Sequence, residues 1–228
     1  MSIEKKEDTL NGIGIASEKA INFVEKLIAE PFMEMTGIFT DKIKLWRFKN
    51  QVSIIDKARK FLKEKGIEVP KTMPIKDLST LLEYASFEEN EIMQDNWAKL
   101  LANTVDPNNK FDSCYVFSQL LNQLSVDEYH ILEYIFYKCF QMSDTDRPYF
   151  DKNTLSRLYQ GNYQTLLLML DNLLRLRLIE EEPPKLKDDS SLPYSYPKDE
   201  ESPKNEIIVT ERYRLSLFGV ELIRQIRN

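Results

Sequence analysis

The sequence predicts a mainly α protein with a small amount of β structure close to its C-terminus, and three observations carry that prediction. Apolar residues recur at helical spacing through most of the chain up to Arg177. Only two later segments, RLRLIEEEPP and IIVTERYRL, read as strands. A polar, Pro- and Ser-rich stretch separates those strands, and a last amphipathic segment follows them. Three helices, a strand, a long break, a strand and a closing helix is the order of a winged-helix-like domain with a small β-hairpin wing. At 228 residues the chain has room for two small domains. The expected division is an N-terminal helical region over 1–110 packed on a winged-helix-like domain over 111–228, with 183–205 a flexible wing insertion.

The elements follow in order. From Ile3 to Ala29, Leu10, Ile13, Ala20, Val24, Leu27 and Ile28 recur near one face. A longer helix is expected from Phe32 to Glu64, bent near Gly37, with Leu45, Phe48, Val52, Ile55 and Leu62 as its apolar stripe. Pro70 and Pro74 in GIEVPKTMP break it, and Ile75 to Tyr84 is a short helix. Ser86 with Glu89 reads as a capping box ahead of the next helix, whose Met93, Trp97, Leu100, Leu101 and Thr104 share one face. DPNN is a turn, and Phe111 to Leu124 is helical. Ser125 with Glu128 gives a second capping box, opening a helix lined by Tyr129, Leu132, Ile135, Phe136, Cys139 and Phe140. Asp151 to Tyr159 and Asn162 to Arg177 are the second and third helices of the winged pattern. Leu178–Glu182 and Glu206–Leu215 would pair as the wing, and Phe218, Leu222, Ile223 and Ile226 would bury the closing helix.

Composition narrows the function classes. A formal net charge of −6 works against indiscriminate nucleic-acid binding. Six glycines leave little material for a phosphate-cradling loop. Two cysteines and one histidine, with neither CxxC nor HExxH spacing, do not compose a zinc site, so no metal and no cofactor are expected. Cys114 and Cys139 read as buried free thiols of a reducing compartment. The first residues lack the apolar core of a signal peptide, and no run approaches the roughly 18 uncharged apolar residues of a membrane span. A cytoplasmic protein is the expectation. His130 lies off the apolar stripe of its helix and is expected at the surface. Asp144 and Asp146, with Asp151 nearby, offer oxygen ligands for a hard cation, but SDTDRP more simply reads as a loop.

Two binding surfaces are legible. The stretch from Lys42 to Lys65 is basic with Trp46 and Phe48 interleaved, and Lys42, Arg47, Lys49, Lys60 and Lys63 are its candidates for contact with nucleic acid or anionic lipid. The alternative is a solvated helix face. The presumed recognition helix offers Tyr159, Asn162, Tyr163 and Gln164 at its start. Its centre, QTLLLMLDNLL, has more apolar surface than one buried face needs and almost no positive charge. Such a surface favours protein contact over a duplex.

Three segments carry a family resemblance: IAEPFMEMTGIFTDKIKLWRFKN near the start, LLEYASFEENEIMQDNWAKLLANTVDPNN in the middle, and LDNLLRLRLIEE followed by YRLSLFGVELI at the end. With these the chain resembles the bacterial abortive-infection alpha (Abi-alpha) family, over about residues 10 to 226. The middle segment is the most specific, through Trp97, Ala98, Leu100, Leu101, Ala102 and Asn103. The resemblance implies a role in anti-phage defence and supplies no catalytic residues. The resulting expectation is a non-enzymatic defence protein working through a host or phage protein partner, or through self-association. A DNA-binding winged-helix regulator is the second reading. A toxin enzyme built on carboxylates such as Asp144 and Asp146 is the third.

Overall fold

The computed structural model describes residues 18–20, 22–23, 26, 42–111, 114–141, 147–159, 161–186 and 207–227. These residues are mainly helical, with a small antiparallel sheet. The chain forms two compact units, 1–126 with 221–228, and 127–220. The division thus falls sixteen residues beyond the expected one at 110 (126 − 110), and the last eight residues belong with the first unit.

In the first unit, α1 (Lys42–Glu64) packs on α3 (Glu91–Thr104), while α2 (Ile75–Ala85) and α4 (Cys114–Leu121) pack on each other and on α3. The expected helix over Ile3 to Ala29 is described only in part, at 18–20, 22–23 and 26, all helical, with Ala20 buried. Phe32 to Asp41, with the bend expected at Gly37, lie outside the described residues. The buried line of α1 is Ile54, Ile55, Ala58 and Leu62, whereas Leu45 is exposed and Phe48 and Val52 are half-buried. The stripe is therefore displaced from the expected one, because the helix closes on α3 mainly through its C-terminal half.

Helix α3 has helices against several of its sides, so it is buried well beyond the expected single face. Asn96, Ala98, Ala102 and Asn103 join Met93, Trp97, Leu100 and Leu101 in the interior. Its cap corrects the expected capping box. Asn90 Oδ1 accepts from the Ile92 and Met93 amides at 3.0 and 3.2 Å. Ser86 instead ends α2, its hydroxyl donating to the Glu83 carbonyl at 2.6 Å. DPNN is the expected turn, closed by Asn108 N–H on Asp106 Oδ1 at 2.8 Å.

In the second unit, α5 (Val126–Gln141) is followed by β1 (Phe150–Asp151), α6 (Lys152–Tyr159), α7 (Tyr163–Arg175), β2 (Ile179–Glu181), β3 (Lys185–Leu186), β4 (Ile207–Ile208) and β5 (Arg212–Leu215). Strand β5 lies between β1 and β2, antiparallel to both, and β3 pairs with β4 as a separate hairpin. The first expected strand, Leu178–Glu182, becomes β2; the second, Glu206–Leu215, becomes β4 and β5; and β3 falls within 183–205, expected as a flexible insertion. Strand β1 was not legible, since two residues are too short to show a period. Asp151 caps α6, taking the Thr154 amide on Oδ1 and the Thr154 hydroxyl on Oδ2, both at 2.9 Å. These bonds, the amide first, hold its carboxyl below the ordinary value.

Helix α8 (Leu217–Ile226) starts in the second unit and ends in the first, with Leu222, Ile223 and Ile226 buried.

Candidate functional site

The basic helix α1 sorts its cations into two groups. Arg47 is engaged within the fold: Nε donates to Ser86 Oγ at 2.9 Å and Nη2 meets Glu83 Oε1 at 2.6 Å. Its guanidinium also lies over the Phe87 ring, 4.2 Å from the centroid. Lys57 meets Asp95 at 2.6 Å, Arg59 meets Asp56 at 3.0 Å, and Lys65 donates to Asn103 Oδ1 at 2.5 Å. Lys49, Lys60 and Lys63 are exposed and have no ion pair with a described residue. At about 100° per residue they fall on one side of α1, with Asp56 among them. Lys42 begins the helix, and its side chain lies outside the described residues. The sequence-predicted set therefore loses Arg47, whose guanidinium ties α1 to the end of α2.

On α7 the leucine run divides by helical face. Leu166, Leu170 and Leu173 are at most 1% exposed, Leu167 and Met169 are half-buried, and Leu168 is 69% exposed. Gln164, Asp171 and Arg175 share the solvent side with Leu168. Arg175 donates from Nε and Nη2 to Asn172 Oδ1, at 3.1 and 2.7 Å. One exposed carboxylate and one engaged guanidinium leave this face without net charge. Among the four residues expected at the helix start, Tyr163 and Gln164 are open to solvent. Asn162 is the N-cap, accepting the Gln164 amide at 2.8 Å. Tyr159 folds over Gly161, where an added Cβ would lie 2.5 Å from its ring. Asn162, Tyr163 and Gln164 are thus exposed together at the helix start, and Tyr159 is half-buried.

The outer face of the sheet is a lattice of ion pairs that sequence reading missed. Glu180 and Arg214 stand opposite in the β2–β5 register, and Arg214 Nε meets Glu180 Oε1 at 2.6 Å. Arg147 approaches the same oxygen at 3.5 Å and donates to the Leu215 carbonyl at 2.8 Å. Arg214 also covers the Tyr149 ring at 4.5 Å. Beside this pair, Glu182 gathers Lys185 Nζ at 2.6 Å, the Thr210 hydroxyl at 2.7 Å and Arg212 Nη1 at 3.2 Å. Glu182 is only 6% exposed, because those side chains cover it rather than because it lies deep in the fold. The Lys185 hydrogen bond, then that of Thr210, hold its carboxyl down to about 2. The signal was present as three consecutive glutamates, Glu180 to Glu182, in and just after β2, and alternate arginines in β5. Only strand register could join them.

Two family-like segments have structural explanations. In the middle one, Asn103 is a junction: its Nδ2 donates to the Gln225 carbonyl at 2.6 Å and its Oδ1 accepts Lys65. Asn109 Nδ2 donates to Asn103 O and to Gln225 Oε1, both at 2.8 Å. The network joins α3, the DPNN turn and the C-terminal half of α8. In the last segment, Ser216 holds the turn after α7. Its hydroxyl donates to the Arg177 carbonyl at 2.6 Å and accepts the Gly219 amide at 2.9 Å. Gly219 lies so close to the Leu178 carbonyl that an added Cβ would be 2.0 Å from its oxygen.

His130 is exposed, 3.8 Å from Glu133. Asp144 and Asp146 lie outside the described residues. Among the described residues no group of three or more His, Cys, Asp or Glu is placed to hold a metal ion, and no helix is long and apolar enough to cross a membrane. Cys114 and Cys139 are buried and not disulfide-bonded, and burial pushes the Cys139 thiol up.

Mainly helical architecture with a small antiparallel sheet defines a class but not a role. A family profile for abortive infection alpha matches residues 47–226, and the chain belongs to that family. The match takes in the middle and last of the three resembling segments, and only the end of the first, from Arg47. Membership connects the chain to abortive infection. No curated protein and no solved structure matches it.

Proposed function

We propose that the chain is a non-enzymatic component of abortive-infection defence that acts by protein contact, with 127–220 serving as a winged-helix-like unit that does not read DNA. The order helix, strand, helix, helix, strand, hairpin, strand supports the winged-helix reading, as does a sheet with β5 between β1 and β2. The observation that carries the protein-contact reading is the occupation of the sheet cations. A wing binds duplex by presenting arginines and lysines to phosphates. Here Arg147, Arg212, Arg214 and Lys185 are already held by Glu180 and Glu182. The solvent face of α7, with Asp171 offsetting Arg175, offers no net positive charge to a polyphosphate. The test is phage plating with and without the gene, together with affinity capture from infected and uninfected cells. Protection with a discrete partner is expected; a monomer with no partner in either condition would remove the proposal.

A second reading draws on Lys49, Lys60 and Lys63, which are exposed on α1 without an ion pair to a described residue and fit a phosphate backbone. It requires duplex affinity that falls steeply with salt, and a gel-shift titration blank at low salt would end it.

A further inference from the structure

Helices α1 and α7 end in the same hydrogen-bonded turn built on different residues. After α1, the Gly66 amide donates to Lys63 O at 3.0 Å and the Ile67 amide to Leu62 O at 2.9 Å. After α7, the Arg177 amide donates to Leu174 O at 2.9 Å and the Leu178 amide to Leu173 O at 3.0 Å. Both pairs are the Schellman pattern, in which the residue after the cap must turn left-handed. Gly66 does so at φ +71°, where glycine is at ease. Arg177 does so at φ 57°, the single non-glycine residue with positive φ among the described residues. An L-residue is strained there.

Among the described residues none uses the side chain for which that strain is carried. Arg177 is exposed and has no ion pair or hydrogen bond from its guanidinium to a described residue. In the same unit Arg147, Arg175, Arg212 and Arg214 are engaged, whereas Arg157 is exposed like Arg177, but its backbone is not left-handed. The Arg177 backbone is fixed: its carbonyl takes the Ser216 hydroxyl, and the next carbonyl, of Leu178, takes the Ser216 amide at 3.0 Å. Ser216 is followed at once by Leu217, which is 73% exposed. The turn thus fixes the backbone of an exposed arginine against Ser216, whose neighbour in the chain, Leu217, is also exposed.

We propose that Arg177 is a partner-binding residue that engages a carboxylate on an acidic protein surface, with Leu217 contributing apolar contact beside it. A guanidinium fork matches a carboxylate in two-point geometry, and arginines are enriched among the residues that dominate protein interfaces. The neighbouring Leu217 suits a protein surface and has nothing to offer a phosphate backbone. Residues held in sparsely populated backbone conformations cluster at functional sites.

This inference rests on the protein-contact reading and deepens it, and the experiment separates the two. Arg177→Gly is the decisive variant, because glycine relaxes the turn while removing the guanidinium. Its thermal midpoint is expected to equal or exceed that of the parent; a lower midpoint would make the arginine structural and overturn the proposal. A photo-crosslinking amino acid at position 217 of the full chain, expressed in phage-infected cells, is expected to give a discrete adduct. Its yield should fall roughly tenfold or more in the Arg177→Gly background, with Arg177→Lys between the two. An adduct that persists undiminished, or none at all, overturns the proposal. An adduct that moves from protein to nucleic acid also overturns it. Plaque counts on the same cells decide the defence reading separately. Protection with an Arg177-independent adduct leaves defence standing without this contact, and an Arg177-dependent adduct without protection leaves the contact standing without defence.

Discussion

Helix α1 carries the cations of this chain and helix α7 its densest leucines, yet in neither does composition decide what faces solvent. Four of the cations of α1 and the residue after it, Arg47, Lys57, Arg59 and Lys65, are engaged by Glu83, Asp95, Asp56 and Asn103. Three of the leucines of α7 are buried, and Leu168 stands out among Gln164, Asp171 and Arg175. Both helices therefore show a solvent face less extreme than their sequences. A basic helix is not by itself a nucleic-acid surface, nor a leucine-rich one a bare apolar surface.

The largest expected effect tests the two faces of α7. Leu170→Ala, at a position 1% exposed, is expected to destabilise the protein by about 2–5 kcal/mol through lost transfer energy and the cavity left behind. Leu168→Ala is expected to change stability by no more than about 0.5 kcal/mol. Denaturant melts of the pair check this. Equal losses would mean that Leu168 is covered in solution, and the exposed face of α7 would need redrawing.

Arg47 supplies the corresponding test on α1. Arg47→Ala removes two charge-assisted hydrogen bonds and the contact with Phe87, in a side chain about a quarter exposed. A loss of about 1–2 kcal/mol is expected in chemical denaturation. A loss near zero would return Arg47 to the surface group.

Most of the helical architecture was legible because each helix buries a face at the 3.6 period, and Met93, Trp97, Leu100 and Leu101 lie in the interior as that period demands. What escaped reading depends on contacts distant in sequence. Ser86 and Asn90 are equally good caps on paper; the approach of Arg47 to Ser86 belongs to the packed structure. The Glu180–Arg214 pair spans 34 positions and exists only through strand register. Arg177 gave no signal, since sequence marks a left-handed turn with glycine, as it did at Gly66. The lysine face of α1 was legible from helical angle alone, whereas the removal of Arg47 from it was not.

The carboxylate of Glu182 carries the pH prediction. Its folded-state pKa is depressed to about 2 from 4.5. A depressed acid contributes stability that is fully present above its unfolded value and disappears as pH falls through the folded one. Glu182→Gln is therefore expected to lower the thermal midpoint at pH 7. The gap from the parent should narrow below pH 4.5 and close near pH 2. A gap constant across that range would show that the substitution acts through shape rather than charge.

The two helix ends measure one torsional penalty from opposite sides. At Gly66 an added Cβ meets nothing within 4 Å, so Gly66→Ala is strained by φ alone and should cost about 1 kcal/mol. Arg177→Gly should gain a few tenths to about 1 kcal/mol, less than the full penalty because glycine also loosens the unfolded chain. Melting both variants side by side checks the signs. Two losses would mean that the left-handed arginine is supported by contacts of its own.

The smallest stability effect belongs to the lysines that α1 leaves in solvent. Lys49, Lys60 and Lys63 changed together to Gln should alter stability by no more than about 0.5 kcal/mol per site, since no described partner is lost. The same triple variant separates the two functional readings by a different measurement. If these lysines contact a duplex, each lost phosphate contact flattens the slope of log affinity against log salt by about 0.9. Three lost contacts would bring a shallow slope close to zero. If α1 is a solvated face, the parent and the variant bind duplex equally weakly at every salt concentration, and the cations of this helix serve solubility and the internal ties of Arg47, Lys57 and Arg59.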